Sequence, residues 1–100
     1  MGLIRVLDLV DRCYNSNDGQ IVHDAIEVGL KENDKLIVSF DGVDSVPSSF
    51  INVALISFLD SFAFDEIKRR LKFVDTNSQI NDMIRTRFTF EAHRKSSATH

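Results

Sequence analysis

The chain has 100 residues, 43% of them hydrophobic and eight of them phenylalanine, enough for one compact core and too few for two domains. Twelve basic and fifteen acidic side chains give a formal charge of -3, which argues against nucleic-acid binding through bulk charge. A lone cysteine, Cys13, precludes an internal disulfide or a zinc knuckle, and no apolar run approaches the roughly 20 residues that cross a bilayer. A reducing cytoplasmic setting without membrane attachment is therefore expected.

Leu3 to Val10 mixes Ile4, Val6, Leu7 and Leu9 with Arg5 and Asp8 and reads as a partly buried first strand. Asn15-Ser16-Asn17-Asp18-Gly19 is dense in turn formers. Asp18 is the expected cap of a helix whose apolar positions Ile21, Val22, Ala25, Ile26 and Leu30 follow the spacing of one face and which ends near Glu32 to Asp34. Lys35 to Phe40 is a short apolar, β-branched run, the pattern of a strand covered on both faces. From Ser49, the positions Ile51, Ala54, Leu55, Phe58, Leu59 and Phe62 follow helical spacing and predict one continuous helix.

Asp65 to Arg70 predicts a connecting helical turn, and Leu71 and Phe73 alternate with Arg70 and Lys72 as a third strand. Asp75-Thr76-Asn77-Ser78 offers caps for a last helix whose face carries Ile80, Met83, Ile84 and Phe88. Past Phe90 the composition turns small, polar and basic, so a folded domain over residues 1–90 and a frayed tail over 91–100 are expected. Strand and helix alternating three times predicts an α/β fold, a small and largely parallel sheet with helices packed on it. Ligands of such sheets gather beyond the strand carboxyl ends, which is where Asp41 to Ser49 must lie.

Within that stretch two serines open a helix, so unpaired backbone N–H groups and a positive dipole end stand beside two hydroxyls. The same serines serve plain N-capping, worth about 1 kcal/mol. Phe50, Val53 and Ile56 either widen the core stripe or, left exposed, mark a partner site together with Asn52.

Leu36-Ile37-Val38-Ser39-Phe40-Asp41-Gly42-Val43, then Ser48-Ser49-Phe50, then Leu71-Lys72-Phe73 resembles a STAS-like domain over residues 3–88. The likeness is to small STAS-like proteins with a Ser-Ser-Phe turn, which are similar to bacterial anti-anti-sigma factors. The resemblance implies a non-enzymatic signalling module that binds a histidine-kinase-like ATPase of the anti-sigma type and is released when a serine in this loop is phosphorylated. By motif, that serine is Ser48, with Ser49 as the following hydroxyl and helix cap. The expected partner-binding set is Asp44, Ser48, Ser49, Phe50, Asn52 and Val53. Self-association through the same helix, or an anion or small-ligand site at the serine turn, are the alternatives.

No catalytic residues, metal or cofactor are expected. Gly-x-Ser-x-Gly, His-Glu-x-x-His and phosphate-loop patterns are absent, and His23 has a carboxylate only as its immediate neighbour, Asp24. His23 reads as a surface or edge residue and Cys13 as a small buried side chain. His93 and His100 lack companions at ligand spacing. Residues 65–100 hold eight basic and five acidic side chains, but Arg85, Arg87, Arg94 and Lys95 lack the interleaved aromatic residues of a nucleic-acid surface. An acidic protein partner is the other reading of that basic third.

Overall fold

The structure, a computed structural model, describes residues 2–98, with side chains described through residue 94. Three strands, β1 (Gly2–Arg5), β2 (Leu36–Ser39) and β3 (Leu71–Val74), form a parallel sheet in the order β1-β2-β3. Around them run α1 (Ser16–Glu32), α2 (Ser48–Ala54), α3 (Phe64–Arg70) and α4 (Ser78–Ala98). Right-handed crossovers between strands in that order place the helices on one face. Accordingly Leu36, Val38 and Leu71 are buried, whereas Leu3 and Lys72, in one row on the other face, are exposed. The α/β class and the parallel sheet agree with the sequence pattern, but β2 is covered on one face and not on both, since Ile37 in the open row is only half-buried.

Local chemistry sets each boundary. The first strand is shorter than expected because Val6 and Val10, four apart and both buried, require a helical turn, and Val6 O accepts from both Leu9 N–H and Val10 N–H. Asn15, not Asp18, caps α1: Asn15 Oδ1 accepts from Asp18 N–H at 3.0 Å while Asp18 Oδ2 accepts from Asn15 N–H at 3.3 Å. That reciprocal pair is a capping box. At the other end of α1 the Arg70 guanidinium donates to the carbonyls of Leu30 (2.6 Å), Asn33 (3.1 Å) and Asp34 (2.9 Å), which no intrahelical N–H can reach.

The helix predicted from Ser49 to Phe62 is two pieces. It leaves α-helical geometry at Leu55 (φ -124°, ψ -50°) and continues as a tighter 3-10 helix over Ile56–Asp60. Ser57 explains the break, since its Oγ donates at 2.8 Å to Val53 O, the carbonyl four residues back, and such back-bonding bends helices. The apolar stripe nevertheless survives, with Ile51, Ala54, Leu55 and Phe58 all buried.

In α4, Asn77 Oδ1 accepts from Ile80 N–H at 2.9 Å, and Ile80, Ile84 and Phe88 form the buried seam. The helix continues past Phe90 to Ala98, through most of the stretch that composition marks as a loose tail. Glu91 is the reason: it accepts from Arg87 at 3.1 Å and from Arg94 at 2.8 Å, one turn before and one after. Residues 99–100 lie outside the described residues.

The helices α1 and α2 pack closely at Gly19, where an added Cβ would stand 2.8 Å from Phe50 O and 3.2 Å from Val53 Cβ. Gly19→Ala therefore sets a helix-propensity gain of about 1 kcal/mol against a backbone clash that costs about 1–3 kcal/mol. Because the nearest atom is a carbonyl that cannot rotate away, the clash wins. The expected result is a lower urea midpoint at an unchanged slope, and a rise in the midpoint would contradict this packing.

Candidate functional site

The loop from Asp41 to Pro47 leaves the carboxyl end of central strand β2 and delivers the chain to α2. Gly42 sits at φ +85°, where a side chain would be strained and its Cβ would meet Leu7 Cδ1 at 2.9 Å. The loop's start is latched to β3, since Ser39 Oγ donates to Asp75 Oδ2 at 2.6 Å and accepts from Asp41 N–H at 3.2 Å. Asp75 itself takes a left-handed backbone, φ +56°.

The loop's end is held by α4. Val46 is 2% exposed, so its peptide groups cannot rely on water. Gln79 meets both: its Oε1 accepts from Val46 N–H at 2.9 Å and its Nε2 donates to Val46 O at 3.0 Å. Asn77 Nδ2 adds a bond to Asp44 O at 2.7 Å. One primary amide thus acts on this loop as a neighbouring strand would. Nothing in the spacing of Gln79 singles it out in the sequence, where it is merely the second residue of a polar helix start.

Asp44, Ser48 and Ser49 are exposed on this held loop and the helix start that follows. Neither serine caps α2. The cap position falls on Pro47 with no side-chain hydrogen bond, and both hydroxyls lack partners among the described residues, which corrects the capping role expected for Ser49. Phe50 is corrected too: it is wholly buried, as Ile56 nearly is, so the wide-core reading of that face holds and Phe50 is closed to a partner. Val53 is half-buried at the Gly19 contact, and Asn52 Oδ1 accepts from Arg87 Nε at 2.9 Å, so both already serve the fold. Of the six residues expected to bind a partner, Asp44, Ser48 and Ser49 remain presented.

Beside them the sequence reading missed Tyr14. It is 68% exposed, carries the Arg12 guanidinium over its ring at 5.6 Å, and lines with Gly42, Asp44 and Ser45 a shallow crevice of about 280 Å³. An exposed aromatic backed by an arginine is a composition enriched in protein contacts. Only its position beside the loop, which requires the fold, distinguishes this tyrosine.

The other candidate groups do not converge here. Cys13 is buried, and burial first, then the Asp18 carboxylate, pushes its thiol up to about 11. His23 is half-buried, as an edge residue is, with its Nδ1 3.0 Å from Ser57 Oγ and its ring stacked on Phe58 at 4.2 Å. Among the described residues no cluster of three or more His, Cys, Asp or Glu could hold a metal, and no helix is long and apolar enough to cross a membrane. Arg85 pairs with Asp82, and Arg87 and Arg94 share Glu91, so these cations are engaged within the helix. The Lys95 side chain and His100 lie outside the described residues.

A family model described as a STAS-like domain of unknown function (DUF4325) matches residues 18–81. No curated protein and no solved structure matches the chain.

Two expected outcomes follow from this geometry. Gln79→Ala strands the buried Val46 N–H and C=O and should cost about 2 kcal/mol by urea denaturation; a loss under about 0.5 kcal/mol, the level of an ordinary surface change, would contradict the clamp. The Cys13 thiol should resist a disulfide reagent at pH 8 in the native state and react fully once urea unfolds the chain. A folded-state thiol pKa above the unfolded one means the charged thiolate is disfavoured by folding. Stability should therefore fall as pH rises above the unfolded thiol's ordinary value.

Proposed function

The chain belongs to the family of STAS-like domains of unknown function, and on that premise we propose that it is a regulatory protein-interaction module whose docking face is the Asp41–Ser49 loop. The observation that carries this is the contrast within one segment. The backbone at Asp44 and Val46 is held by three side-chain hydrogen bonds, while the Ser48 and Ser49 hydroxyls that follow are exposed and have no bond among the described residues. A surface fixed in position but free of internal polar partners is preorganised for binding. Tyr14 and Arg12 extend it across the crevice.

Ser48 is the proposed switch. Phosphorylation there would add about -1.5 to -2 of charge at the first position of α2, which the helix dipole tolerates, so the fold persists. The same charge, on the segment that also exposes Asp44, would drive off a partner whose contact surface is acidic or apolar. The partner that suits this reading is an ATPase-fold kinase of the kind the family resemblance implies; the chain supplies no phosphate-binding loop of its own.

Because Ser48 makes no capping bond, Ser48→Ala should change stability by less than about 0.5 kcal/mol. In a pull-down from the native cell, wild type and Ser48→Ala should retain a common ATPase-fold protein that Ser48→Asp loses. Equal retention by all three variants would remove Ser48 from the interface.

A further inference from the structure

Away from the serine loop, a cavity of about 480 Å³ opens between α1, the Ile56–Asp60 turn and α3. Leu30, Phe58 and Phe62 make its apolar wall. Its volume lies in the range of small-molecule sites, and its polar groups form an unusual set.

His23, Glu27 and Lys31 succeed one another at four-residue intervals along one face of α1, and all three line the cavity. Ser57 Oγ donates to Val53 O at 2.8 Å and lies 3.0 Å from His23 Nδ1, which leaves Nε2 as the open nitrogen of the ring. Stacking on Phe58 and the bond to Ser57 hold the ring in place. Glu27 and Lys31 stand in the order that favours an ion pair on a helix, yet neither carries a hydrogen bond or ion pair among the described residues. The Arg70 guanidinium at the margin is already spent on Glu66 and the carbonyls ending α1.

Asp60 also lines the cavity but is already engaged, so the open groups are an imidazole nitrogen and a carboxylate, one ammonium, and an aromatic wall. An ammonium brings three donors and suits the first two; a carboxylate suits Lys31; an apolar body suits Leu30 and Phe62. We propose that this cavity binds a small zwitterion with an apolar body, the chemistry of a free aromatic or aliphatic α-amino acid.

L-phenylalanine is the probe. Its size sets an affinity on the order of millimolar. Titrated to about 10 mM against the full chain, it should give saturable amide shifts in 1H–15N spectra confined to residues 23–31 and 57–62. Phenethylamine, which lacks the carboxylate, and 3-phenylpropionate, which lacks the ammonium, should each bind about tenfold more weakly. Glu27→Gln and Lys31→Gln change exposed side chains and should leave the fold intact while weakening L-phenylalanine by a similar factor. No saturable shift, or an equal response to all three compounds, or undiminished binding by both variants, would overturn the proposal.

Discussion

A buried peptide group must find a partner, and at Val46 both groups find it in the Gln79 amide. That requirement couples two distant parts of the chain. Gln79 reaches the loop because α4 starts where it does, and α4 starts there because Asn77 caps it and Asp75 turns the backbone into the left-handed region. Asp75 in turn holds Ser39, whose hydroxyl receives Asp41 N–H. The loop after β2 is therefore closed at its start by the end of β3 and at its far side by the start of α4.

The proposed docking surface follows from this economy of bonds. Polar side chains from the β3–α4 connection take up the loop's backbone groups, so the loop's own serines are left with none to satisfy. Had Ser48 or Ser49 capped α2, its hydroxyl would have been committed to the fold. Pro47 at the cap position leaves the first turn without a side-chain acceptor and the two hydroxyls outward. Phe50, directly after them, is driven inward by the core, and burying a side chain of its size stabilises the fold by about 2–3 kcal/mol. The boundary between presented and structural residues thus falls between Ser49 and Phe50.

Much of the architecture was legible because it rests on periodicity: the β-branched run at Leu36–Ser39, the seam of Ile80, Ile84 and Phe88, and the cap cluster before α4 all lie where pattern places them. What escaped depends on single side chains meeting backbone. Ser57 breaks a helix whose apolar stripe reads as continuous, because the stripe reports burial and not hydrogen bonding. Asn15 outcompetes Asp18 as cap because the two exchange bonds, with Asp18 serving as the reciprocal member. Phe50 could not be assigned to core or surface from a helix wheel whose apolar arc is simply wide. The Gln79 clamp and the His23–Ser57 contact join residues 33 and 34 positions apart, beyond any local signal.

If a held loop backbone carries free hydroxyls, native-state amide exchange across residues 41–50 will show it. Val46 N–H should exchange only by global unfolding, close to the rate of core strand β2, while the Ser48 and Ser49 amides should exchange faster by orders of magnitude. Uniformly fast exchange through Val46 would mean that the clamp is open in solution and the loop is not held for a partner.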